Sequence, residues 1–323
     1  MSNGERAFVT AVKKYCASHG IEVELKADGW LIAMKRGSQR RFAFGYDLGL
    51  NSAVAHRIAN DKAATADVLE ICGIPFVPHT AFLSPKMYKY ITPSGAWTAM
   101  LDLLERHPQG IVVKPNEGTG GNSVFKVRTE PELEVATNEI FSSEKSLAIS
   151  PYLEIEDEVR VILIDDRPIV VLSKTRPSVV GDGKRTVLEL AIATIPAEQL
   201  STVLSGLAGD ISKTLLNEVP AAGQRRALNW RHNLGAGAQA VVLEQGEARA
   251  AACIEIALQA AKPIELRFGS IDIVRTEGRW KILEINSGVM MEALSRSHPE
   301  LVQAAYDTAL DKVFDPSAKG QKR

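Results

Sequence analysis

The chain has 323 residues, enough for two domains or for one domain with sub-lobes. Its 45% hydrophobic and 24% charged content is that of an ordinary globular protein, and a net charge of −1 supplies no global field to favour nucleic acid or an acidic membrane surface. No apolar run approaches the roughly 18 residues a membrane helix needs, and MSNGERAFVTAVKKYCASHG lacks a secretory hydrophobic region, so a soluble, cytoplasmic protein is expected.

Residues 5–19 carry Phe8, Val9, Val12 and Tyr15 at helical spacing and predict an amphipathic helix. VELKADGWLIAMKRGSQRRFAFGYDL predicts three strands separated by an Asp-Gly and a Gly-Ser turn. LNSAVAHRIANDKAATADVLEICGI reads as helix, break, helix, stopped by Gly73, and IPFVPHTAFL, with its two prolines, as an edge strand. A short helix over 98–106 precedes the strand GIVVKP; VFKVRT and SLAISPYL are further strands with PELEVATNEIF helical between them. EVRVILID and RPIVVLSKTR are strongly strand-like and joined by an Asp-Asp-Arg turn. GDGKRTVLELAIA enters a helix capped by Thr186; the polar, weakly patterned remainder to Trp230 is expected to be a long excursion over the site, of the kind that forms lids. A helix over 248–261 leads to FGSIDIV and WKILEIN, which alternate on either side of TEGR and predict a hairpin. In the last helix Leu301, Val302, Ala305, Tyr306, Ala309, Leu310, Val313 and Phe314 recur at helical spacing, with Ser297 and Glu300 as a capping box. The tail DPSAKGQKR is expected to be disordered. Cys16, Cys72 and Cys253 are scattered, without metal or disulfide spacing, and the histidines form no ligand pattern.

Chemistry concentrates in that hairpin. Glu284 and Asn286 are two apart and share a strand face. With the turn at Glu277 and Gly278, Asp272 falls opposite residues 281–283, and a slip of one or two residues brings its carboxylate to Glu284. Oxygen donors converging from paired strands suit a hard cation such as phosphate-bound Mg²⁺; solvated charges on an outer face are the plain alternative. IVVKPNEGTGGNSVFKV delivers Lys114 at a strand end, followed by Gly118, Gly120 and Gly121, whose backbone amides can approach phosphate. No helix follows the glycines, so this is neither the Walker nor the Rossmann pattern, and an ordinary glycine-rich turn is the alternative. Pro151 interrupts a strand ladder and leaves backbone groups free to read an adenine edge, with Glu158 beyond it for ribose hydroxyls, unless the run is a linker with an acidic cluster. Lys174 and Arg176 share a face and suit polyphosphate, or form a charged edge strand. Arg231, His232 and Asn233 precede another glycine-rich turn and could take a phosphate or a substrate carboxylate.

The order of these pieces, over residues 62–314, resembles the ATP-grasp ligases, and within them glutathione synthetase, the ribosomal-protein glutamate ligases and the cyanophycin synthetase ligase core. VVGDGKRTVLEL, RHNLGAGAQAV and the EINSG ending carry much of that likeness. The resemblance implies an α+β fold in which two lobes grip ATP between antiparallel sheets. The division it suggests is a small N-terminal lobe at 1–75, a central lobe with the flap at 76–150, a lobe with the metal site at 151–315 and a tail at 316–323. It implies that Lys114 and Lys174 bind the ATP phosphates, that Gly118, Gly120 and Gly121 form a flap over them, and that Tyr152 and Leu153 line the adenine hinge. Glu158 would hold the ribose, and Asp272, Glu284 and Asn286 would hold Mg²⁺, or Mn²⁺ in its place. Arg176, Arg231 and Asn233 fall among the nucleotide-binding positions, Arg267 is the expected oxyanion-stabilising residue with help from Asn286 or the Gly288 amide, and Lys86 or Lys89 is the earlier nucleotide lysine. Lys62 is expected to support the fold or the substrate lobe. The implied reaction joins a carboxylate to an amine through an acyl phosphate, with small-molecule or peptide substrates, no nucleic-acid or membrane partner, and a homo-oligomer as the common assembly. A phosphotransferase and a silent nucleotide-binding module are the competing classes. The N-terminal lobe is short and β-rich, unlike that of glutathione synthetase, which leaves the acid and the amine unnamed.

Overall fold

The computed structural model describes residues 5–87, 95–118, 120–195, 200, 203, 213–234 and 237–315. Helix α1 (Ala7–Ser18) buries Phe8, Val9, Val12 and Tyr15, the face the spacing predicts. It packs on an antiparallel sheet of β1 (Glu22–Lys26), β2 (Leu31–Arg36) and β3 (Gln39–Phe44). Helices α2 (Ala53–Asn60) and α3 (Lys62–Ile71) follow, with Ser52 and Asp61 accepting from amides of the first turn, Ala55 and Ala64 respectively.

A four-stranded sheet has the order β4-β7-β5-β6: β4 (Thr80–Leu83), which is indeed at the edge, β5 (Ile111–Pro115), β6 (Phe125–Val127) and β7 (Ser146–Pro151). Helices α4 (Ala96–Arg106) and α5 (Glu130–Ser143) cover it, closing a core around Phe82, Met100, Ile111, Leu133, Ile140 and Leu147. The second large sheet has the order β12-β9-β8-β13-β14, built from β8 (Asp157–Ile164), β9 (Arg167–Thr175), β12 (Gln239–Val242), β13 (Phe268–Thr276) and β14 (Arg279–Asn286). Every pairing in both sheets is antiparallel.

Between β9 and β12 the short strands β10 (Ser178–Val180) and β11 (Arg225–Ala227) pair with each other. With α6 (Val187–Thr194) and α7 (Lys213–Leu216) they belong to a small unit with its own core of Val179, Val187, Leu190, Ala191, Val203 and Leu228. This corrects the expectation of a patternless excursion over the site. The apolar residues of the unit are divided between segments far apart in sequence, so no local period reveals them. Thr186 does cap α6, in a full capping box with Glu189.

Helix α8 (Ala248–Ala261) covers one face of the five-stranded sheet together with α2 and α3. A short helix α9 (Glu292–Ser295) leads to α10 (Pro299–Phe314), which packs against α1 and joins the core that α1 and β2 share with β8, β9 and β13. The capping box at Ser297 and Glu300 is not formed. With Pro299 at the first helical position the N-cap is His298, which makes no side-chain cap, and Ser297 Oγ donates to the Leu294 carbonyl instead. The expected tail at 316–323 and Lys89 lie outside the described residues. No helix among the described residues is long and apolar enough to cross a membrane.

Candidate active site

The two large sheets face each other across a cleft of about 1240 Å³. Strand alternation explains which side chains reach it: Ser270, Asp272 and Val274 of β13, and Glu284 and Asn286 of β14, share one face. The hairpin turns at Glu277 and Gly278, and a register shift between Asp272 and Ile273 sets Asp272 directly opposite Glu284. The anticipated slip is therefore a β-bulge, and it places both carboxylates side by side. Asn286 Nδ2 donates to Glu284 Oε1 at 3.3 Å.

Beneath them lies a buried charge network. Arg160 of β8 grips Asp272 with both prongs, Nε to Oδ1 and Nη2 to Oδ2, each 2.7 Å. Lys174 Nζ lies 2.8 Å from Asp272 Oδ2 and donates to Glu158 Oε1 at 2.6 Å. Burial works to raise the Asp272 pKa, but Arg160 and Lys174 hold it well below the usual carboxylate range. Burial pushes Glu158 upward against the pull of Lys174. His232 Nδ1 is 3.6 Å from Glu158 Oε2 and has no hydrogen bond; burial, with Arg176 and Lys174 nearby, brings this ring down to about 4 and keeps it neutral.

On the opposite wall β5 presents Lys114, 7% exposed. Burial draws its pKa down to about 8, opposed by the negative charge of Glu284 and reinforced by Lys62. The flap follows. Lys62 Nζ donates to the carbonyls of Asn116 (3.3 Å) and Gly118 (2.7 Å), which supports the loop from below. Gly120 and Gly121 both have positive φ. A Cβ on Gly120 would meet nothing within 4 Å, whereas one on Gly121 would collide with Asn233 Nδ2. Asn233 Nδ2 donates to the Gly120 carbonyl at 2.6 Å and Arg231 Nη2 to the Val124 carbonyl at 2.6 Å, so these two tie the glycine-rich loop after β5 to the segment between β11 and β12. At the hinge, Tyr152 stands edge-on to Trp230 at 5.8 Å, with Lys126 Nζ 3.2 Å from its ring centroid.

Of the residues singled out in the sequence, the structure gathers Lys114, Gly118, Gly120, Gly121, Tyr152, Leu153, Glu158, Lys174, Arg231, Asn233, Asp272, Glu284 and Asn286 around this cleft. Arg176 and Arg267 are not among its lining residues. Arg176 reaches toward Glu154 at 3.7 Å. Arg267 donates to Asp165 at 2.8 Å at the β8–β9 turn, and its parity along the strand is opposite to that of Asp272. Its expected oxyanion role is thereby corrected. Lys86 turns away to the Phe141 and Ser142 carbonyls. Of the described residues of the expected excursion, 181–230, Trp230 lines the cleft and the others do not. Arg160 escaped the sequence reading, although its position two residues after Glu158 on an alternating strand was the available signal.

The donor set of Asp272, Glu284 and Asn286 is all oxygen and fits a hard cation. Among the described residues no group of three or more His, Cys, Asp or Glu is placed to hold a metal, so a cation here would depend on two carboxylates, one amide and oxygens of the nucleotide itself. Asp272 is already engaged by two cations, while among the described residues Glu284 carries only the Asn286 amide.

A family profile described as RimK-like ATP-grasp domain matches residues 210–303. The cyanophycin synthetase of Trichormus variabilis is 26% identical over 257 residues, covering 73% of this chain and 26% of its own length. The chain thus spans about a quarter of the length of that relative. Among solved structures, a bifunctional glutathione synthetase from Pasteurella multocida aligns with a TM-score of 0.56 at 18% identity, over 97% of this chain and 44% of its own. D-alanine–D-alanine ligase from Bacillus anthracis complexed with ATP aligns with a TM-score of 0.51 at 15% identity, over 82% of this chain and 67% of its own. The likeness to the solved structures is one of fold.

Proposed function

We propose that this chain is an ATP-grasp protein, and that it is an ATP- and Mg²⁺-dependent ligase that joins a carboxylate to an amine, releasing ADP and phosphate. The observation that carries this reading is the cross-strand pair of Asp272 and Glu284, lining the same cleft as Lys114 and Lys174 beside a glycine flap. In this reading the substrate carboxylate attacks the γ-phosphate, and the acyl phosphate formed is then attacked by the amine. Lys114 and Lys174 offset the charge developing on the transferred group, and the flap amides near Gly120 bind its oxygens. Asp272, Glu284 and Asn286 would hold Mg²⁺, which when bound draws phosphate oxygens together and offsets their charge; Mn²⁺ suits the same donors. Arg160 positions Asp272. Tyr152 and Leu153 would flank the adenine and Glu158 the ribose. Arg231 and Asn233 keep the flap seated and exclude water from the acyl phosphate. No side-chain nucleophile is required. The substrates are small molecules or peptides.

The test is ADP release with and without added amine, with mass detection of the product. Glu284→Ala is expected to abolish turnover with the fold retained by circular dichroism. Wild-type turnover in Glu284→Ala would remove the metal assignment. Phosphate release independent of amine, with a stable phosphorylated product, would instead make the protein a phosphotransferase.

A further inference from the structure

One end of the cleft is walled by the N-terminal sheet and the segment after β14, and the nucleotide-binding residues do not use it. Trp30, Phe44 and Met290 line it while remaining 46%, 62% and 44% exposed. These large apolar side chains are held in place. Trp30 lies edge-on to both Phe44 and Tyr46 at 6.4 Å, and the Arg6 guanidinium sits 4.5 Å over the Trp30 ring and 5.1 Å over Tyr46. Arg6 is anchored in turn to the Gly45 and Gly29 carbonyls. A Cβ on Gly288 would touch Tyr46 Cβ at 3.7 Å, which sets this aromatic wall against the chain immediately beyond Asn286.

The charges at this end are unequal in their engagement. Glu292 accepts from the Ala7 amide at 2.7 Å and from Tyr46 Oη at 2.9 Å. Asp47 accepts from the Gly49 amide at 2.8 Å and lies 3.3 Å from His56 Nδ1. Both carboxylates are therefore satisfied within the fold. The side chain of Arg296, which lines the same cleft just past α9, has no hydrogen bond or ion pair among the described residues, while its backbone amide donates to the Leu294 carbonyl. An exposed guanidinium without a protein partner, lining the cleft beside an apolar wall, is complementary to a carboxylate attached to an apolar group.

We propose that this end of the cleft is the acceptor subsite, and that it takes an α-amino acid or short peptide with an aromatic or large aliphatic side chain and a free carboxylate. The side chain packs on Trp30, Phe44 and Met290, and the carboxylate meets Arg296. A carboxylate held there is displaced from Asp272 and Glu284, so it is not the group activated, and the amine of the same molecule is left to face the metal strands. The word acceptor rests on the ligase reading; the binding preference does not.

The experiment is binding by calorimetry, with the protein saturated in ADP and Mg²⁺, of phenylalanine, leucine, leucyl-phenylalanine, phenylalaninamide, glutamate and lysine, repeated for Phe44→Ala, Arg296→Gln and Arg296→Lys. ADP release from ATP is measured in parallel for the same panel. The apolar acids are expected to bind at least about tenfold more tightly than glutamate and lysine, equivalent to about 1.4 kcal/mol. Phenylalaninamide should bind about tenfold more weakly than phenylalanine to the wild type but equally to Arg296→Gln, with partial recovery in Arg296→Lys. Equal or tighter binding of glutamate or lysine, or indifference to both the Phe44 and the Arg296 changes, would overturn the subsite. Apolar binding with these sensitivities but no ADP release with any acid would uphold the subsite and remove the ligase reading. ADP release with polar acceptors only would do the reverse.

Discussion

Lys114 is a residue whose protonation the site controls. Burial lowers it to about 8 from its ordinary 10.5, so the amine gives up its proton more readily in the folded protein, while the ammonium still predominates below about 8. The sign for stability follows: the cost of burying the charge is fully present below about 8 and is relieved as pH rises toward 10.5, so this group alone makes the fold more stable in alkali. Binding of a polyphosphate runs the other way, because it needs the ammonium. ATP affinity is expected to weaken as pH rises through 8, with proton uptake on binding, detectable by calorimetry in two buffers of different ionisation enthalpy. Lys114→Met should weaken ATP binding and abolish the uptake. Arg160 acts on a second buried charge. Arg160→Leu leaves the Asp272 carboxylate with Lys174 alone, and is expected to cost about 3 kcal/mol in urea unfolding. The wild-type contribution of Asp272 is present above its unfolded pKa and is lost as pH falls through the depressed folded value. In Arg160→Leu the acid limb of the stability curve should therefore move to higher pH.

At the scale of elements, the β13–β14 hairpin was legible in the alternation of FGSIDIV and WKILEIN, and its turn is where TEGR put it. The bulge that aligns Asp272 with Glu284 was open in the sequence only as a slip of one or two residues, because turn chemistry bounds a register without fixing it. Gly269 shows how closely β13 and β14 approach. A Cβ there would lie 2.6 Å from Leu266 Cδ2 and 2.9 Å from the Asn286 carbonyl, a backbone atom with little room to move. Gly269→Ala is expected to destabilise by about 2 kcal/mol and to lower turnover by disturbing Asn286, both measurable on the purified variant. The failure of the capping box at Ser297 is of the same local kind: Pro299 set the helix start one residue later than the pattern implied. Arg267 failed through parity, which the run RFGSID shows once the strand face carrying Asp272 is accepted.

At the scale of the whole molecule, α1 and β1–β3 do not form a core by themselves. Phe8, Val12, Ile32 and Met34 share theirs with Ile162, Leu172, Phe268, Tyr306 and Phe314, from the five-stranded sheet and α10. A chain reduced to residues 53–315 is expected to lose its cooperative thermal transition and to aggregate, measured by circular dichroism and gel filtration, because that sheet face would be exposed to water. The central sheet β4–β7, by contrast, has a core of its own. We propose the boundaries near 75 and 150 as lobe borders on that account, with the segment 1–75 an attached rather than independent lobe.

The set of elements and the chemistry along each strand are properties of local sequence. Periods of two and of 3.6 residues are local properties, and so is the placement of Asp272, Glu284 and Asn286, or of Lys114 before its glycines. Which of those charges meet is settled by the packing of distant strands. Arg160 and Lys174 converge on Asp272 from two different strands, Arg267 is turned to Asp165, and Trp30 and Phe44 come to the cleft from the far end of the chain. The physical reason is that strand order and lobe packing are settled by buried area shared between distant segments, and no window of the sequence contains both partners of such a contact.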